Sequence, residues 1–352
     1  MEIFDTFVLI QDGLITMNIK FLFSDQFGFI RDYLNQVDGR GIFKIPEPSN
    51  VLANVSDFRG NMLQGWGLYN DGNVCGLVSL FLAFHRMVIV EYLIDPSLIF
   101  NDNNLPDYPL CMLIYILRAI PSQRAFSVQN FIRCWNASGK VPALHPNEDI
   151  YVLAEGLISQ LPLIPRANGL PPIFTRFLLQ MDCQLCGNNQ LMETWDGKSF
   201  LTVPSVQVPR APQRVSVTTL LNNFIMERRR SRCNICNTLN DNLSMEVQKG
   251  IFTVVNMKRQ PEYGDNVATK VLTKLEIEPE SNQSRKLTQK LISVVNHVGN
   301  LHGGHWLSYH LCQQSWYRND DAQHVIFSHH PFNTVDAISE SSNLLSYLNK
   351  DF

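Results

Sequence analysis

Four of the eight cysteines fall in two pairs, Cys183-Gln184-Leu185-Cys186 and Cys233-Asn234-Ile235-Cys236. Two knuckles of this spacing supply four soft thiolates, the donors and the number that tetrahedral zinc takes. Gly187 and Asn237 follow the second cysteine of each pair, where a tight turn bends the backbone around the ion. The 46 residues between Cys186 and Cys233 must form a strand-rich insertion that brings the pairs together. Four protein ligands leave no open position for water, so one structural zinc ion is expected rather than a hydrolytic metal.

A second set could do covalent chemistry. Gly67, Asn70, Gly72 and Asn73 make a polar, glycine-rich loop, after which Cys75 opens the apolar run CGLVSLFLAFHRMVIVEYL. A loop feeding a buried helix puts that thiol at a helix N-terminus, where free backbone N–H groups favour a thiolate. Late in the chain Gly303-Gly304-His305 precedes an alternating segment and then Asp320-Asp321. An acid 15 residues past the histidine, beyond a strand and a turn, can orient an imidazole. Nucleophile, base and orienter are the parts of a cysteine protease. Read from the residues alone, a buried core cysteine is the competing assignment for Cys75.

Elements must hold these residues. Phe200 to Val208 and Ile251 to Met257 read as strands within a stretch of short alternating runs from Phe174 to Gln260. Leu291 to Val295 and Trp306 to Leu311 are strand-like, and the polar residues 278–289 read as a loop. Pro146-Asn147-Glu148-Asp149 looks like a helix start, followed by the apolar stripe Ile150, Leu153, Leu157 and Ile158. Residues 161–172, with four prolines, read as a linker or crossing segment.

The chain has 352 residues, 17% charged and 45% hydrophobic, with a formal net charge of -3. That balance excludes a wholly disordered acidic or basic chain and speaks against a general nucleic-acid binder. The run Arg228-Arg229-Arg230 with Arg232 reads as a solvated tip near the second knuckle. No run of 18 apolar residues appears, so no membrane span is expected, and no signal-peptide pattern is seen. A reducing setting, cytoplasmic and/or nuclear, follows as an expectation. Cys111, Cys134 and Cys312 are then packed thiols, Trp66 and Trp316 packing residues, and His302 a loop residue.

The chain resembles a ubiquitin-specific protease. Gly67-Leu68-Tyr69-Asn70-Asp71-Gly72-Asn73-Val74-Cys75 is similar to that family's cysteine box. His297-Val298-Gly299, Gly304-His305-Trp306, Tyr309, Trp316-Tyr317 and Asp320-Asp321 are similar to its histidine box. The cysteine pairs sit between the boxes, as the family's finger zinc site does. Ile251 to Gln260 resembles its strand ending in Leu-Lys-Arg-Phe, and Asn147-Glu148-Asp149 its Gln-Gln-Asp segment. Gly76, Val152, Leu82, Gln260 and Asn319 depart from the usual residues, which marks a divergent member.

The resemblance implies an α+β, papain-like cysteine protease with thumb, palm and zinc-bearing fingers. It implies an N-terminal extension at 1–60 and a catalytic domain at 61–352. The domain divides into a mainly helical thumb at 61–172, fingers at 173–250 and a palm at 251–352. It implies thiol-dependent hydrolysis after the C-terminal diglycine of ubiquitin or a ubiquitin-like modifier such as SUMO. Cys75 is then the nucleophile, His305 the base, Asp320 the orienter and Asp321 its helper. Asn70 is the oxyanion donor. Asp149 receives a basic residue of the modifier's tail, and Trp306, with Gly304 and His297, walls the diglycine channel. The implied partners are the modifier, its conjugates and a regulatory protein met through the extension or fingers. The alternative is a weak or inactive subunit that binds the modifier as a scaffold.

Overall fold

The computed structural model describes residues 8–11, 14–18, 42–45, 68–90, 113, 126–140, 143–145, 148–160, 172–192, 200–209, 214–227, 229–241, 243–259, 271–272, 275–277, 287–300, 303–312, 315–321, 323–328 and 342–349. Trp66, Cys111, His302, Gln260, Arg228, residues 161–171, residues 278–286 and most of the N-terminal extension lie outside them.

The chain divides into two compact units. The first comprises Met1–Glu148, Ile164–Ala167 and Arg318–Val325; the second comprises Asp149–Leu163, Asn168–Tyr317 and Ile326–Phe352.

The first unit opens with strands β1 (Val8–Gln11), β2 (Leu14–Asn18) and β3 (Ile42–Ile45), an antiparallel sheet in that order. Then β4 (Leu68–Tyr69) leads through the Asn70–Val74 loop into helix α1 (Cys75–Val90). Gly76 to His85 are all buried, so this part of α1 is enclosed on every side, as in a core helix. Strand β5 (Phe126–Ser127) pairs in parallel with β4 and feeds helix α2 (Gln129–Ala137). Phe81 of α1 meets Phe131 of α2 edge to face at 5.3 Å, and Phe131 meets Trp135 at 5.6 Å. Burying each such ring contributes about 2–3 kcal/mol.

The second unit begins with helix α3 (Ile150–Ile158). Its start falls where the sequence places it, because Asp149 is the N-cap and its Oδ1 accepts the Tyr151 N–H at 2.7 Å. The strands that follow are β6 (Arg176–Asp182), β7 (Asn189–Leu191), β8 (Ser205–Gln207) and β9 (Val215–Ser216). They continue, after a helix, as β10 (Ser231–Arg232), β11 (Leu239–Asn240) and β12 (Leu243–Gln248). Strands β13 (Phe252–Lys258), β14 (Val271–Leu272) and β15 (Leu275–Ile277) follow. The last are β16 (Leu287–Asn300), β17 (Gly303–Cys312), β18 (Ser315–Asp320), β19 (Gln323–Ser328) and β20 (Ser342–Asn349).

The main sheet runs β19-β18-β17-β16-β20-β13-β8, with β15 on β16. Strand β13, between β20 and β8, is buried along Phe252–Met257, as a strand covered on both faces is. Its core joins Val255, Val294, Leu307, Trp316, Leu345 and Tyr347.

Three sequence expectations change. Residues 287–289 are strand, because β16 runs back to Leu287 and pairs there with both β15 and β20. Within 200–208 only β8 is a strand, with Leu201 bridged singly to Phe177. The supposed all-strand stretch also contains helix α4 (Val217–Met226). Ser216 caps it by accepting the Thr219 N–H at 3.0 Å, and Val217, Leu220, Leu221, Phe224 and Ile225 form a helical stripe on the core.

Candidate active site and zinc centre

The two knuckles have the same build. Gly187 N–H donates to Cys183 O at 2.8 Å, and Asn237 N–H to Cys233 O at 2.9 Å. Both turn residues lie in the left-handed region, at φ 68° and 56°. Cys183 Sγ lies 3.5 Å from Cys236 Sγ, and Cys186 Sγ lies 3.6 Å from Cys233 Sγ. All four sulfurs fall within 4.8 Å of one another. A disulfide needs about 2.05 Å. Four sulfurs each about 2.3 Å from one tetrahedral ion stand roughly 3.8 Å apart. The donor set therefore fits a single structural zinc ion. The Thr238 hydroxyl and then its backbone pull the Cys236 thiol down to about 6. Backbone N–H groups of Cys236 and Ile235 lower Cys233. Polar hydrogens aimed at these two sulfurs favour thiolates there, whereas Cys186, crowded by the other three thiols, is pushed up.

In the first unit, Cys75 is half-exposed at the head of a helix whose next ten residues are buried. The loop before it is sharply bent: Gly72 and Asn73 have φ of 87° and 61°. Asn70 is half-buried, and its Oδ1 is buried with no hydrogen-bond partner. Leu68 N–H donates to Asp321 O at 3.3 Å, which ties the strand leading to the cysteine loop to the acidic turn. Arg318 Nη2 reaches Asp320 Oδ2 at 2.5 Å. Arg318 was not singled out in the sequence, although its place two residues before Asp320 on one strand face is a readable signal.

In the second unit, β17 pairs antiparallel with β16, setting Gly299 opposite Gly304, Val298 opposite His305 and His297 opposite Trp306. The His297 and Trp306 rings lie 4.7 Å apart. A Cβ on Gly304 would stand 2.3 Å from His297 Nε2 and 2.8 Å from Val298 O, so only glycine fits. Gly304→Ala is expected to lower Tm and disturb His305 together, read by thermal melting and by turnover. Trp316 is buried, as is Cys134; the side chain of Cys312 lies outside the described residues.

Burial, and secondarily the charge of His305, holds the His297 imidazole below its usual value. The unfolded chain then takes up a proton where the folded chain does not. Folding stability is therefore full above about pH 6.5 and declines as pH falls through it. His297→Gln is expected to flatten the fall of Tm between about pH 7 and 5.5. An unchanged slope would assign that fall to other groups.

The sequence model of the family described as ubiquitin carboxyl-terminal hydrolase matches residues 165–347. This chain belongs to that family. The match spans both zinc knuckles and the His305–Asp321 segment, and begins after the Cys75 region. Three solved structures share the mixed helix and strand fold of this deubiquitinase class. The SAGA DUB module Ubp8/Sgf11/Sus1/Sgf73 bound to monoubiquitin is 15% identical, with TM-score 0.54, covering 91% of this chain and 83% of that one. The yeast module with a Sgf73 variant is 16% identical, with TM-score 0.53, covering 89% and 79%. The module bound to ubiquitin aldehyde is 17% identical, with TM-score 0.54, covering 89% and 80%. No curated protein sequence matches the chain.

Proposed function

We propose that this member of the ubiquitin carboxyl-terminal hydrolase family is a cysteine-type deubiquitinase or ubiquitin-like isopeptidase. The observation that carries the reading is the placement of Cys75. It is the half-exposed first residue of a buried helix, on a loop bonded through Leu68 to Asp321. His305 lies on β17, and the two-residue connection to β18 makes the pair a hairpin. His310 of β17 stacks on Tyr317 of β18 at 5.4 Å.

In this reading His305 takes the Cys75 thiol proton and the sulfur attacks the carbonyl carbon after the diglycine. Asn70 and the Cys75 N–H hold the oxyanion. The C–N bond breaks, the His305 proton passes to the leaving lysine amine, and a thioester remains. Water, losing a proton to His305, then cleaves the thioester to a carboxylate and restores the thiol. Asp320 orients the imidazole, with Asp321 as helper. Asp149, exposed beside its capping role, receives a basic residue of the tail, and Trp306, His297 and Gly304 wall the diglycine channel. The domain division at residues 60, 172 and 250 stays part of this reading, as does a cytoplasmic or nuclear setting. The similar solved modules contain partner proteins and, in two cases, ubiquitin, which supports a modifier and a regulatory partner here.

One observation favours the scaffold reading: Arg318 already holds the Asp320 carboxylate. A panel of C-terminally activated ubiquitin and ubiquitin-like probes separates the two. Covalent labelling of wild type, absent in Cys75→Ala, is expected. A wild type inert to every probe that still binds a modifier would leave the scaffold reading standing instead.

A further inference from the structure

We infer that Ser127 and Gln129 are positioning residues that hold the oxyanion loop in its working shape. The inference rests on the hydrolase reading of Asn70 and Cys75. The loop from Asn70 to Val74 is short and bent through two successive left-handed residues, Gly72 and Asn73. Such backbone persists only where its surroundings over-determine it. The surroundings come from a segment 56 to 58 residues away. Ser127 Oγ donates to Asp71 Oδ2 at 2.6 Å. The same oxygen accepts the Gln129 N–H at 3.2 Å, at the start of α2. Gln129 Nε2 donates to the Asp71 carbonyl. It also lies against Gly72, 2.9 Å from where a Cβ would be. Asp71 is thus held by both its side chain and its carbonyl.

The residue before it, Asn70, is the proposed oxyanion donor. Tyr69, one further back, is the register partner of Ser127 in the β4–β5 pair. The clamp therefore fixes the loop on both sides of Asn70 and at its bend. Misplacing a donor by about 1 Å costs on the order of 10² in rate. Loss of the clamp should act on the transition state and leave thiol reactivity and modifier binding alone.

The test uses the full chain with Ser127→Ala, Ser127→Thr and Gln129→Ala. Turnover is read on a ubiquitin C-terminal fluorogenic amide, thiol reactivity with iodoacetamide, and loop protection by amide hydrogen exchange. Ser127→Ala and Gln129→Ala are expected to lower kcat by roughly ten- to a hundredfold with KM and alkylation rate unchanged. Exchange at Asp71–Val74 should quicken while α2 keeps its protection. Ser127→Thr keeps the hydroxyl and should restore both. Wild-type kcat in Gln129→Ala, or unchanged exchange at the loop, would overturn the inference. So would a parallel loss of Tm and KM, which marks a purely structural role. An inert wild type would instead overturn the hydrolase reading, and the exchange rates would then decide the clamp by themselves.

Discussion

Replacing Cys75 by alanine is expected to abolish turnover on a ubiquitin C-terminal amide, by on the order of 10⁶, while leaving ubiquitin binding intact. The size follows from the mechanism. Without Sγ no thioester forms, and only the oxyanion loop and substrate binding remain to act on the bond. His305→Ala should cost a similar factor, and the double variant little more, because nucleophile and base act as one unit. Asp320→Asn should cost less, about 10⁴, by disturbing the tautomer and orientation of the imidazole. Asp321→Asn should cost less again if its backbone carbonyl, which accepts from Leu68, is its main contribution. Single-turnover cleavage with each variant checks the order. Residual turnover in Cys75→Ala near the wild-type rate would sink the assignment. A larger loss in Asp321→Asn than in Asp320→Asn would move the orienter by one residue.

Arg318 adds a condition to that series. Its 2.5 Å pair with Asp320 fixes one carboxylate oxygen. Both side chains are partly exposed, so the pair contributes little to stability. Its influence belongs to Asp320's orientation.

Much of this was legible in the residues. The knuckle spacing, the capping aspartate before Ile150 and the unbroken apolar run after Cys75 are local patterns, and each forms where the sequence puts it. Helix α4 was not seen, because its neighbours read as short strands and its Ser216 cap carries no acid three residues on to complete a capping box. The start of β16 is hidden by polarity: Thr288 and Gln289 look like loop, yet both pair with β15, and Gln289 pairs with β20 as well. Gln289 is buried there at 4% exposure, which no local pattern announces. Ser127 and Gln129 could not be found from sequence at all, since only the parallel pairing of β4 with β5 sets them against Asp71. Buried Glu155 is similar. Its carboxylate accepts Thr202 Oγ1 at 2.9 Å and Val203 N–H at 2.7 Å, partners 47 and 48 residues away.

Loss of the zinc site has the other large effect expected. The protein should carry one zinc per chain by elemental analysis, and Cys186→Ser or strong chelation should remove it. Among the described residues, the apolar core around the knuckles consists of Met181, Cys183 and Cys233, with Met192, Cys236 and Leu243 packed partly against it. Burying a methionine contributes about 2 kcal/mol, far too little to order the two knuckles. Strands β10 and β11 add a sheet of two residues each. Metal binding in such sites is folding energy, on the order of 10 kcal/mol. The two knuckles should therefore melt as a separate, lower transition, at least roughly 10 °C below the wild type, with rapid amide exchange across 183–191 and 231–240. The main sheet has its own core around Val255, Val294 and Leu345 and should keep its protection. Leu185→Ala is the control, because Leu185 is 71% exposed on the first knuckle and touches the same turn without ligating. It should retain zinc and the wild-type melt. A Cys186→Ser protein that melts like wild type would show that side-chain packing, and not the metal, holds the knuckles together.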